Sequence, residues 1–150
     1  MPPTVELREV APDNWRRYAL LEVGADQRAL VMPVTYSLCL CHYDDLWNPL
    51  AACDGDEIIG FLMWAIDPAD GSCWIGGFTV DRRRQRQGYG RAMIEALVRR
   101  QRELGHCTSF ALSYTTDNTA ARDLCRALGF VETGERECDE TVARLSPGAG

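Results

Sequence analysis

A chain of 150 residues, 46% of them apolar, has room for one sizeable core. No apolar run reaches the roughly 20 residues of a membrane span, and a net charge of −6 disfavours nucleic acid as the main partner while suiting a cationic one. Seven cysteines, odd in number and without a C-x-x-C pair, exclude zinc-ribbon spacing and disfavour a disulfide framework; most sit in apolar runs and read as small core residues.

The chain opens on Met1-Pro2-Pro3-Thr4-Val5-Glu6, which lacks the charged and apolar regions of a signal peptide, so a cytoplasmic protein is expected. Val5–Glu9 alternates as a first strand. Asp13 is placed to cap a helix running through Trp15, Tyr18, Ala19 and Glu22. The spacing of Leu38, His42 and Asp45 predicts a second helix over Thr35–Leu46. Leu50–Cys53 and Ile58–Ile66 flank Asp54-Gly55-Asp56, a strong hairpin signal. After the loop Asp67–Gly71, Cys73–Val80 reads as a strand. Tyr89, Met93, Leu97 and Leu104 mark a long helix that Gly105 can end. Thr108–Tyr114 is the next strand. Asp117 or Asn118 then caps a short helix with Ala121, Leu124, Cys125 and Leu128 on one face, closed by Gly129. Phe130–Thr133 and Thr141–Leu145 are the last strands, and residues 146–150 form a loose tail after a single domain over 1–145. Strand–helix alternation in the middle, with hairpins at the ends, predicts an α/β chain: a mixed sheet covered by helices.

The chemistry concentrates between Gly77 and Ala92, where an apolar strand runs into a basic turn and two glycines open a helix. The first N–H groups of a helix lack internal partners, and the helix dipole favours an anion there. Glycine admits a phosphate without a Cβ in the way, and Arg82, Arg83, Arg84, Arg86 and Arg91 add positive charge. The ligand is therefore expected to carry phosphate. A P-loop is excluded because Arg91-Ala92 follow Gly90. A dinucleotide fingerprint is excluded because Met93 stands where a third small residue is needed.

Gln85-x-x-Gly88-x-Gly90, placed after a strand, resembles the acetyl-CoA motif of the GNAT superfamily of N-acetyltransferases. Asn118-x-x-Ala121-x-x-Leu124-Cys125, followed by Leu128-Gly129-Phe130, resembles that superfamily's second motif. Sparser likenesses tie the chain to its bacterial spermine/spermidine acetyltransferase branch: Asn14-Trp15, Val23, Gln27, Tyr36-Ser37-Leu38, Leu112-Ser113-Tyr114 and Val131–Glu135.

The resemblance implies a mostly antiparallel sheet with one splayed parallel strand pair, flanked by helices, with acetyl-CoA as co-substrate and no metal. The pantetheine arm would pair with the backbone of Phe78 and Val80. Gln85, Arg86, Gln87, Gly88, Tyr89, Gly90 and Arg91 would hold the pyrophosphate through their N–H groups, and Asn118 would bond the pantetheine side. Gln27, Tyr36, Trp64 and Trp74 are the candidate residues for the amine, since aromatic walls suit a cation. Core packing is an equal reading for the two tryptophans. A cytoplasmic homodimer acting on a small cationic amine, polyamine first, is the implied whole. An antibiotic-type amine and a non-catalytic acyl-CoA-binding module are the alternatives.

Two positions depart from the family pattern. Cys125 stands where a tyrosine usually serves as acid toward the leaving thiolate, so the acid is Cys125, Tyr114 or water, with simple packing the stronger reading of Cys125. Gly76 and Gly77 stand where many relatives carry a carboxylate base; they open room for a bulkier amine and leave Glu22, Asp26, Asp44, Asp45 and Asp67 as unranked sources of negative charge.

Overall fold

The computed structural model describes residues 3–24, 32–107 and 109–147. Seven strands form one sheet in the order β1-β2-β3-β4-β5-β7-β6: β1 (Glu6–Glu9), β2 (Asn48–Asp54), β3 (Glu57–Ile66), β4 (Cys73–Val80), β5 (Phe110–Tyr114), β6 (Val131–Glu137) and β7 (Glu140–Leu145). Every neighbouring pair is antiparallel except β4 with β5. The mixed α/β architecture expected from the alternation of elements is the one observed.

The pleat of β3, shifted by an irregularity at Ile59, sorts the helices onto two faces. Ile59 and Leu62 pack with α3 (Tyr89–Leu104) and α4 (Thr119–Ala127) in the main core, whereas Phe61 and Met63 face the other way, toward α2 (Val34–Tyr43). The short α1 (Trp15–Ala19) sends Tyr18 onto Ala51 and Cys53 on that second face. α3 is anchored by Met93, Ile94, Leu97 and Gln101, all buried. Each large apolar side chain in that stripe contributes about 1.5–3 kcal/mol. Gly105 ends the helix in the left-handed region at φ 69°, its N–H donating to Gln101 and Arg102 carbonyls.

Several boundaries differ from expectation. Asp13 does not cap α1; Asn14 does, and its amide turns back, accepting from the Ala11 N–H at 2.7 Å and donating to the Glu9 carbonyl. α2 begins one residue early, after Pro33, and ends at Tyr43, three residues short of Leu46. β6 runs on to Glu137, well beyond Thr133, because it is held by β7 rather than by burial. Cys53, Cys73 and Cys125 are buried as expected of small core residues, but Cys39 and Cys138 are exposed.

The feature that positions the site is a split in the middle of the sheet. β4 and β5 pair only from Cys73–Phe110 to Ile75–Leu112. Past that point β5 continues along β7, while β4 stays with β3 through a bulge between Gly76 and Thr79. Gly77 makes the bulge: its φ is +58°, and a Cβ there would lie 2.8 Å from the Ser37 hydroxyl.

A cleft through the split sheet as candidate active site

The split opens into a cleft of about 490 Å³. Continuing the parallel register past Ile75–Leu112 would set Gly77 opposite Tyr114, and both line the gap. On the α4 side the wall is formed by Asn118, Ala121, Leu124 and Cys125. A second, smaller hollow of about 160 Å³ shares Phe78, Asn118, Ala121 and Leu124 with the first and reaches Gln85, Arg86 and Gly88 at the basic turn. The two together make one track from the turn to the middle of the sheet.

The turn is built for backbone donors. Arg86 and Gly88 both take positive φ, 62° and 84°. Gly88 caps α3 without any side-chain bond, and no acidic residue stands in the first helical turn. The N–H groups of Tyr89, Gly90 and Arg91 therefore face outward with no partner within the helix. Gln85 shapes the turn from inside, its amide donating to the Val80 carbonyl at 3.1 Å; Gln87 does the same at the rim with the Arg83 carbonyl. The side chain of Tyr89 is turned away and donates to Asp54 on the β2–β3 hairpin, so only its backbone serves the turn. A Cβ at Gly90 would touch Phe78, Leu124 and Val80 at 3.3–3.7 Å, so the glycine leaves the track a little wider.

The arginine cluster is less free than its spacing suggests. Arg82 pairs with Glu22, Arg83 with Asp81, Arg84 with Glu57 and Arg91 with Glu95. Among the described residues, Arg86 is the one member of the five without a carboxylate partner, and it is exposed. The anion-holding capacity of the turn rests on peptide N–H groups and the dipole of α3, with Arg86 as the available side-chain cation.

Asn118 sits where the two hollows meet and is buried at 7% exposure. Its Oδ1 accepts from the Ala121 N–H at 3.1 Å, capping α4. That oxygen is engaged in the helix, which leaves the amide nitrogen to face the track.

Tyr114 and Cys125 adjoin each other on the cleft wall, and burial pushes both up to about 12. For Tyr114 a hydrogen bond adds to the shift: its hydroxyl donates to Glu132 Oε1 at 2.8 Å, and Arg122 Nε donates to the same oxygen at 2.8 Å. These bonds hold the Glu132 carboxyl below the usual range.

The far end of the cleft is acidic and aromatic. Asp67, Glu137, Glu140, Trp47 and Trp74 line it, with Ser113 donating to Glu140 at 2.7 Å. Trp74 already carries a cation, because the Arg144 guanidinium lies 5.4 Å from its ring centre and is itself paired with Glu135 and Asp70. Trp64 is not in the cleft. The register Trp64–Ile75 and Ala65–Trp74 puts the two tryptophans on opposite faces, and Trp64 packs against the main core. Tyr36 is 58% exposed on α2 and does not line the cleft either. Gln27 and Asp26 lie outside the described residues. The room that Gly76 seemed to open is filled, since a Cβ there would meet Trp47 and Met63 at about 3 Å. Trp47, Glu137 and Glu140 are among the lining residues that sequence reasoning missed; no local pattern marks them, and the two glutamates come in only through the β6–β7 hairpin.

A split parallel pair with an anion-binding turn at one end and a charged cleft at the other defines an acyl-CoA-dependent transferase architecture. The chain belongs to the GNAT family: the Acetyltransferase (GNAT) family model matches residues 9–130. It is an N-acetyltransferase of that family. It is 29% identical over 143 residues to a spermine/spermidine N(1)-acetyltransferase of Bacillus subtilis, covering 88% of this chain and 91% of that one. In fold it is similar to a ribosomal L7/L12 α-N-protein acetyltransferase solved with coenzyme A (TM-score 0.76, 20% identity, 98% of this chain and 96% of that one). It is also similar to the spermidine N-acetyltransferase of Vibrio cholerae solved with coenzyme A and spermine (TM-score 0.73, 16% identity, 95% and 94%). Among the described residues, no helix is long and apolar enough to cross a membrane.

Proposed function

We propose that the protein moves the acetyl group of acetyl-CoA to a primary amine of a small polycation, with spermidine and spermine as the leading acceptors. The observation that carries this reading is the polarity of the one track: unpartnered N–H groups at the turn suit a diphosphate, and three carboxylates at the opposite end suit a cationic amine. The names of the Bacillus subtilis relatives point the same way.

The residues divide the work as follows. The peptide groups from Gln85 to Arg91 and the Arg86 side chain hold the pyrophosphate. Phe78, freed from β5 by the split, offers its backbone to the pantetheine arm and to the thioester oxygen. Val80 offers less, because Gln85 already occupies its carbonyl. Asn118 contacts the arm through its amide nitrogen. Asp67, Glu137 and Glu140, with Trp47, receive the cation.

In the transfer the amine nitrogen attacks the thioester carbon, the C–N bond forms, the C–S bond breaks, and the nitrogen gives up one proton while the thiolate gains one. Neither Tyr114 nor Cys125 is matched to supply that proton. A donor near 12 facing a thiolate of ordinary basicity, about 8.5, is uphill by roughly 3.5 units, or about 5 kcal/mol. The proton shed by the nitrogen is the better source, passed directly or through water. The reading includes a cytoplasmic homodimer with the exposed edge strand β6 as the pairing surface.

The test is release of free thiol from acetyl-CoA across an amine panel of spermidine, spermine, an aminoglycoside and a peptide with a free N-terminus. Saturable turnover of the polyamines is expected. Turnover of the peptide or the aminoglycoside alone would replace the substrate class, and coenzyme binding without turnover of anything would leave a binding module.

A further inference from the structure

Glu132 lies on β6, two strands away from β5, yet its carboxylate reaches across β7 to the phenol of Tyr114. Arg122, from the second turn of α4, fixes the same carboxylate oxygen. The result is a chain Arg122–Glu132–Tyr114 running from the outer edge of the sheet to the wall of the cleft. Tyr114 is 4% exposed and stands opposite the Gly77 bulge across the split.

A phenol has one hydrogen to give and two lone pairs to offer. At Tyr114 that hydrogen is committed to Glu132, and burial keeps it on the oxygen. The Arg122 guanidinium also leans on the phenol oxygen, so what Tyr114 presents to a bound molecule is its remaining lone pair, an acceptor polarised by the carboxylate behind it. The other reacting groups lack such a partner: Cys125 is a buried, protonated thiol, and the bulge supplies backbone groups at Gly77 and Phe78.

An attacking amine needs an acceptor of this kind. Its nitrogen turns cationic as the C–N bond forms, and an N–H of that nitrogen can be held by a lone pair. Resting on the acetyl-transfer reading above, we propose that Tyr114 accepts an N–H of the attacking amine and that Glu132, clamped by Arg122, is the positioning residue that orients and polarises the phenol for this. The carboxylate's charge then reaches the developing ammonium through one intervening hydroxyl, strengthening as the charge grows.

The experiment compares wild type, Glu132→Gln, Tyr114→Phe and the double variant, with acetyl-CoA and spermidine. Glu132→Gln keeps an acceptor for the phenol but removes the charge. Each single variant is expected to lower kcat about tenfold while leaving the KM for acetyl-CoA near wild type; the Glu132 variant also gives up the stability that the ionised carboxylate adds. The double variant is expected to fall no further than Tyr114→Phe, because one device is removed twice. Glu132→Asp, one methylene shorter, withdraws the acceptor while keeping the charge. It should lose kcat as well, and it serves as the second variant if Glu132→Gln folds poorly. The proposal is overturned by losses that multiply in the double variant, by a change confined to stability or coenzyme KM, or by variants as fast as wild type. Should wild type bind coenzyme A yet acetylate no amine in the panel, the transfer reading itself fails and this inference goes with it, an outcome distinct from an active wild type with unaffected variants.

Discussion

On the proposed reading Asn118 does two jobs, and a pair of substitutions separates them. Its Oδ1 caps α4 through the Ala121 N–H, and the residue lines both hollows, which makes its amide nitrogen the donor available to a ligand there. Asn118→Ala removes both. The cap is worth about 1 kcal/mol, which for a chain of this size lowers the melting temperature by roughly 2–4 °C. The lost donor costs a further 0.5–1.5 kcal/mol of coenzyme affinity, a rise in KM for acetyl-CoA of roughly 2- to 13-fold. Asn118→Asp retains an oxygen for the cap, at a helix N-terminus that favours a carboxylate, and removes only the donor. Its melting temperature should stay within about 1 °C of wild type while its KM for acetyl-CoA rises at least as far as that of the alanine variant. Thermal unfolding and isothermal titration with coenzyme A supply the two readings. An aspartate variant that binds coenzyme A as wild type does would refute the role of the amide nitrogen. An alanine variant that loses stability but no affinity would reduce Asn118 to a helix cap.

Cys125→Ala should leave the pH profile of kcat unchanged, because a thiol held near 12 by burial stays protonated throughout the working range; a lost alkaline or acid limb would restore it as an acid. Acid should weaken the fold below the ordinary carboxylate range, near pH 4. Glu132, Glu135 and Asp70 all sit below their usual values, the first two led by hydrogen bonds from Tyr114 and Arg144, the third by hydrogen bonds from Ser72. Their folded values lie below the unfolded ones, so the stability they add is complete above the unfolded values and is lost as pH falls through the folded ones. Arg144→Ala should flatten that decline in a series of melts from pH 6 to pH 3, and an unaltered slope would count against it.

What the letters carried was whatever is decided locally. The stripe of Tyr89, Met93 and Leu97, the Gly105 stop and the Asn118 cap are one-helix properties, and they are where the reading and the structure agree most closely. α2 was blurred because it is apolar on nearly every side: Val34 and Ser37 are buried while Tyr36 and Tyr43 are exposed, so no period marks where it ends. β6 is exposed along its whole length and has no alternation to read; only its ladder with β7 extends it to Glu137. The two tryptophans looked equivalent in sequence. Which of them meets the cleft depends on register between β3 and β4, a bulge away from anything local. The arginines looked like a field of free charge, and only the folded chain shows Glu22, Glu57, Asp81 and Glu95 answering four of them.

That neutralisation bears on how the proposed site would hold a coenzyme. Surface ion pairs contribute little to stability, commonly under 1 kcal/mol, so their consequence here is electrostatic. With four arginines paired, the turn keeps a short-range grip made of oriented peptide N–H groups, while the whole chain stays at −6. On the proposed reading, a cationic acceptor approaching the carboxylates at the opposite mouth would meet a favourable field instead of a wall of arginine charge. On the reading proposed above, binding a polyanion and a polycation within one track is served better by local dipoles at one end and net charge at the other than by two strong opposing charges. The split between β4 and β5 would make this possible, because it leaves β4 backbone unpaired in the same cleft that Glu137 and Glu140 line.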